Sequence, residues 1–173
     1  MRTVVRRTRK GGFTLVEILI VVIILGILAA IVIPQFTSAS QDARKNSLVS
    51  QLQTLRSQIE LYKLQHLDQL PSVLVGGSPD WSQFTNKTNN SGTTGTTTAY
   101  PFGPYLQSNP TNSLNGQYDV VVVTTDQVGG AALTGGSNKG FVINSSNGKI
   151  WATSAKYGYI YDEANPSTSA NDN

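Results

Sequence analysis

An α+β fold, with one long N-terminal helix laid against a small antiparallel β-sheet, is predicted by three features of this 173-residue chain. Residues 18–33 form an apolar run without a charge, the material of a helix that crosses hydrocarbon. Leu48, Leu52, Leu55, Ile59 and Tyr62 recur at intervals of 4, 3, 4 and 3, which sets them along one stripe of a helix. Residues 118–125, 140–144 and 149–153 carry strand-forming side chains, and Asn147-Gly148 between the last two is a strong hairpin signal.

Charge is placed unevenly along the chain. There are 13 Lys and Arg against 10 Asp and Glu, but Arg2, Arg6, Arg7, Arg9 and Lys10 all precede Phe13. Without those five, 8 basic side chains face 10 acidic ones. The body therefore has no basic surplus, and nucleic acid is not an expected partner. Residues 1–12 read as a basic leader. An ordinary secretory signal would place a small-x-small cleavage site after the apolar run, whereas here Ile31-Val32-Ile33-Pro34 follows Ala29-Ala30. The positive-inside rule leaves residues 1–12 in the cytoplasm. Residues 13–33, 21 in number, reach roughly 31 Å as a helix, enough to span the hydrocarbon.

The motif at the junction is long and ordered. Lys10-Gly11-Gly12-Phe13-Thr14-Leu15-Val16-Glu17 followed by Ile18-Leu19-Ile20-Val21-Val22 resembles the class III signal of type IV pilins and of the pseudopilins of type II secretion, closest in pattern to the major pseudopilin. The resemblance is tight over about residues 10–40 and loose beyond. It implies a pilin-like fold and cleavage between Gly12 and Phe13 by a membrane-embedded prepilin peptidase, with Phe13 as the N-methylated new terminus. It also implies that Glu17 pairs with the terminal amine of a neighbouring subunit. A carboxylate in an apolar segment does face a partner more often than lipid. The other reading of Glu17 is local, with the carboxylate bonding its own amine and the first-turn N–H groups. Gly26 and Pro34 mark weak points of the helix over residues 13–34. The resemblance implies that the helix loosens between them on assembly, while a simple kink or membrane exit would need no such change.

Beyond Pro34 the pattern turns amphipathic over residues 35–67, so one helix is expected from about residue 13 to about residue 66, with Leu70-Pro71 as its latest end. Arg56 and Glu60 are spaced as an i,i+4 pair, and His66, the single imidazole, reads as a solvated cation of the last turn. Residues 68–116 read as an irregular connection, since 25 of the 41 residues in 76–116 are Ser, Thr, Asn or Gly. Trp81, Phe84, Tyr100, Phe102 and Tyr105 are its expected anchors, and residues 86–98 have none. Gly103-Pro104-Tyr105-Leu106 and Asn109-Pro110 also resemble segments of major pseudopilins, as does the hairpin around Asn147-Gly148. Gly129-Gly130 and Gly135-Gly136 lack the Gly-Lys-Ser/Thr of a phosphate loop and read as a slack turn. Residues 117–173 are expected to hold the antiparallel sheet and the tail.

The chain has no cysteine, so the disulfide that closes the C-terminal loop of many type IV pilins cannot form here. The resemblance implies calcium in the tail, with Asp162 and Glu163 as candidate ligands, but their spacing is no recognised calcium loop and a metal-free tail is the competing expectation. One His and scattered acids assemble no nucleophile with a base, which argues against an enzyme. The expected protein is a filament subunit with its N-terminus in the cytoplasm and a single pass through a bacterial inner membrane. It would assemble with identical or homologous pilin subunits on an inner-membrane platform into a periplasmic or extracellular filament. A type II secretion pseudopilin is the first reading. A surface type IV pilin or minor pilin that binds a surface, glycan or DNA is the alternative.

Overall fold

The computed structural model describes residues 12–72, 80–133 and 139–166; the leader over residues 1–11, Gly135-Gly136 and Asp172 lie outside them. The elements run α1 (Leu15–Gln65), α2 (Ser82–Thr85), β1 (Lys87–Thr88), β2 (Thr94–Gly95), β3 (Val120–Val123), β4 (Phe141–Asn144) and β5 (Ile150–Ala152). Contacts divide the chain into two compact units, residues 1–40 and 41–173.

The first unit holds the apolar part of α1. Its large hydrophobic side chains are exposed, from 41 % at Val32 to 84 % at Phe13. Such a surface is stable only in lipid or against other apolar helices, and the helix is long and apolar enough to cross a membrane. α1 continues without a break through Gly26 and Pro34. Pro34 removes the N–H that would reach the Ala30 carbonyl. Just beyond it, Thr37 Oγ1 donates to the Ile33 carbonyl at 3.2 Å and Ser38 Oγ to the Gln35 carbonyl at 3.1 Å. Both are back-bonds one turn past the proline, and neither reaches the Ala30 carbonyl.

The second unit has its own core. Leu48, Leu52, Leu55, Ile59 and Tyr62 are each 2 % exposed or less and pack with Trp81, Phe84, Phe141, Ile143, Ile150, Ala152 and Tyr161. The stripe read from spacing is thus the face that meets the sheet, and each fully buried side chain of this kind contributes about 1.5–3 kcal/mol. Helix α1 stops at Gln65, where Leu67 and Asp68 adopt positive φ of 55° and 63° and Asp68 N–H donates to the Lys63 carbonyl at 2.8 Å. This left-handed cap turns the chain before Leu70-Pro71.

The α+β class stands, and the β4–β5 hairpin is antiparallel with Phe141 opposite Ala152 and Ile143 opposite Ile150. One strand departs from the antiparallel expectation. β3 pairs parallel with β4, Val120 opposite Phe141 and Val123 opposite Asn144, in the order β3-β4-β5. The four valines then divide between two faces: Val120 and Val122 join the helix side, while Val121 and Val123 pack with Val142, Leu133 and Trp151. A continuous apolar run suits a strand covered on both sides.

The 68–116 connection is more ordered than its composition suggests. It contains the single helical turn α2 and the two-stranded antiparallel ladder β1–β2, and residues 86–98, read as unanchored, include the fully buried Thr88. Asn89 Oδ1 accepts the N–H groups of Ser91 and Thr93 at 3.1 and 3.0 Å, so a side chain supplies the turn that composition alone does not reveal. Trp81 and Phe84 are buried anchors as expected, with Tyr105 edge-on to Phe84 at 5.7 Å.

Candidate assembly site at the helix N-terminus

The first turn of α1 satisfies its own donors. Thr14 Oγ1 accepts the N–H of Glu17 at 3.2 Å, and Glu17 Oε2 accepts the Thr14 N–H at 2.7 Å and its hydroxyl at 2.8 Å. This is a capping box, in which a Thr and a Glu three residues later each bond the other's backbone. The Thr-x-x-Glu spacing was available as a signal, and it explains why a carboxylate can start an apolar helix without a metal or a basic side chain beside it. The geometry matches the local reading of Glu17 in the isolated chain. None of the three bonds uses a residue before Thr14. Gly12 and Phe13 are both exposed.

Gly26 has nothing within 4 Å of the position a Cβ would take. Its lack of a side chain therefore answers no packing demand in the single chain, and its effect on the helix is the loss of propensity.

The other singled-out residues lie in the second unit. Arg56 is not paired with Glu60. Its guanidinium grips Glu163 with two bonds, Nη1 to Oε2 at 2.9 Å and Nη2 to Oε1 at 2.6 Å, while Glu60 meets Lys63 at 3.3 Å. An ion pair between residues 107 apart in sequence leaves no trace in local spacing. Asp162 Oδ1 accepts the N–H groups of Ala164 and Asn165 at 3.1 Å each. Glu163 is thus held by an arginine and Asp162 caps a turn. Among the described residues no group of three or more His, Cys, Asp or Glu is arranged to hold a metal, and both Glu163 oxygens are taken by Arg56.

His66 is not solvated, contrary to what its place near the helix end suggested: it is 1 % exposed. Its ring stacks on Tyr62 at 3.8 Å, and its nitrogens bond the Tyr62 carbonyl at 2.8 Å and Thr88 Oγ1 at 3.0 Å. Nδ1 faces a carbonyl, which can only accept, so that nitrogen donates to it. Burial, with a smaller contribution from Tyr105, pushes the Tyr62 phenol up to about 12. The imidazole is a packed core element that joins α1 to β1, and the Thr88 hydroxyl beside it is fully buried. Position near a helix end suggested solvent, but the 86–105 segment folds over it.

Residues 7–33 match the family model for the prokaryotic N-terminal methylation motif. The chain therefore carries that motif across the end of the leader and the apolar part of α1. It is similar to the type II secretion system core protein G of Dickeya chrysanthemi, 45 % identical over 56 residues, or 32 % of this chain and 37 % of that protein. The protein of the same name from Pectobacterium carotovorum is 38 % identical over 68 residues, 39 % of this chain and 43 % of its own. That of Pseudomonas aeruginosa is 41 % identical over 59 residues, 34 % of this chain and 42 % of its own. These matches span about two fifths of the length of the curated relatives. No solved structure matches the chain.

Proposed function

We propose that this chain is a structural subunit of a type II secretion filament, a pseudopilin. In this reading it is made as an inner-membrane precursor, cut between Gly12 and Phe13 by prepilin peptidase, N-methylated at Phe13 and assembled through its apolar helix. The observation that carries the proposal is the methylation motif over residues 7–33 set on an apolar helix whose large hydrophobic side chains are exposed. An apolar surface of that kind is stable in lipid before assembly and against other copies of the same helix afterwards.

Glu17 has two successive roles in this scheme. In the precursor it completes the capping box with Thr14; in the filament its carboxylate accepts the new amine of an adjacent copy, a pairing that cleavage makes available. Gly26 and Pro34 are the points at which the helix gives way when subunits pack, since neither holds a tertiary contact that would oppose it. Identical or homologous subunits, the peptidase and an inner-membrane platform are the partners this reading requires.

The processing claim is tested by the mass of the chain recovered from membranes, which should lack residues 1–12 and carry one added methyl group. Recovery of a chain that still begins at Met1 would overturn it. For assembly, Glu17→Leu should insert and be cleaved normally yet give filaments in less than a tenth of the usual yield, roughly the loss of 1.4 kcal/mol or more of subunit affinity. Undiminished filaments from that variant would refute the role of Glu17.

A further inference from the structure

We propose that the Arg56 guanidinium, and not a bound metal ion, is the cation that fastens the C-terminal tail to the folded body. The tail returns along β5: Tyr161 N–H donates to the Ala152 carbonyl at 2.9 Å, and Thr153 is bridged to Ile160. Two residues on, Glu163 reaches Arg56 on α1 through both oxygens, and Arg56 Nη2 also donates to the Ile150 carbonyl at 3.0 Å. One side chain therefore ties the helix, the start of β5 and the tail together. A planar fork matched to a carboxylate is the geometry that arginine supplies and lysine does not.

The surrounding charges point the same way. A calcium ion would need six to eight oxygen ligands, whereas Glu163 already has both oxygens on the guanidinium and Asp162 spends one on the Ala164 and Asn165 amides. A dication arriving there would have to displace Arg56 and then sit beside it. The same solution recurs around the sheet: Asp119 meets Lys139 at 3.0 Å, and Asp126 is held by Lys149, Asn144 and Asn147. Each of these carboxylates is neutralised by a cation from its own chain.

The test is thermal melting of the full chain in detergent micelles, read in the aromatic circular dichroism of the body, so it stands apart from filament formation. With excess EGTA or with millimolar calcium chloride the wild-type midpoint should be the same. Arg56→Gln and Glu163→Gln should each lower it by at least about 3 °C in both media, and the double variant should lose less than the two single losses combined. Arg56→Lys, which keeps the charge without the fork, should recover only part of the loss. A wild-type midpoint that falls in EGTA and returns with calcium would overturn the proposal, as would an Arg56→Gln chain that melts with the wild type. If Arg56→Gln fails to fold, Glu163→Gln and the chelation comparison still decide.

Discussion

Single side chains in this protein are mostly explained by where their charges and protons go. Asp126 is the clearest case for pH. Hydrogen bonds from Lys149, then Asn147 and Asn144, lower its carboxyl from 3.8 to about 2. A carboxyl depressed in the folded state contributes stability that is fully present above its unfolded value and is lost as pH falls through its folded one. The denaturation midpoint of the wild type should therefore exceed that of Asp126→Asn by a constant margin above about pH 5, and the margin should close between 3.8 and about 2. A margin unchanged down to about pH 2 would show that the three bonds do not hold the carboxylate in solution. His66 and Glu163 teach a different lesson at this scale. Both were visible as residue types, but their partners, Thr88 and Arg56, are 22 and 107 positions away, and no local pattern encodes such pairings.

At the scale of elements, the helix and the hairpin were legible because their signals are local. The 4-3-4-3 spacing from Leu48 to Tyr62 reports the helix face that is buried, since side chains three and four apart share a side. Asn147-Gly148 reports a turn, and Gly148 does take a positive φ of 77° with a Cβ position only 2.5 Å from Leu70 Cδ2. Gly148→Ala should consequently destabilise the body by about 1 kcal/mol or more, through backbone strain and displacement of Leu70. Equilibrium urea unfolding gives the number, and a loss under about 0.3 kcal/mol would mean that the turn relaxes freely. The direction of β3 was not legible. A run of valines favours a strand covered on both faces, but parallel or antiparallel pairing is chosen by where the connection over residues 124–140 returns the chain. The ladder β1–β2 was hidden for a related reason, because its strands are two residues each, include the poor strand formers Lys87 and Gly95, and are held by turn bonds and by the burial of Thr88.

As a whole molecule the chain consists of two units with different solvents. The main core of the second unit is built from buried residues between Leu48 and Tyr161. A chain starting at Gln41 should therefore be a soluble monomer that unfolds cooperatively, checked by size-exclusion chromatography and a circular dichroism melt. Aggregation or a non-cooperative melt would show that the body depends on the apolar segment. What the amino-acid sequence determined by itself was the apolar helix, the methylation motif, the buried stripe and the final hairpin, because each is written in neighbouring residues through hydropathy, residue order or turn chemistry. The capping box of Thr14 and Glu17 follows from local spacing once the helix start is known. The tertiary structure alone decided that His66 is core, that β3 runs parallel to β4 and that Arg56 pairs with Glu163. These three depend on which distant segments the fold brings within hydrogen-bonding distance, and that is set by the packing of the whole body.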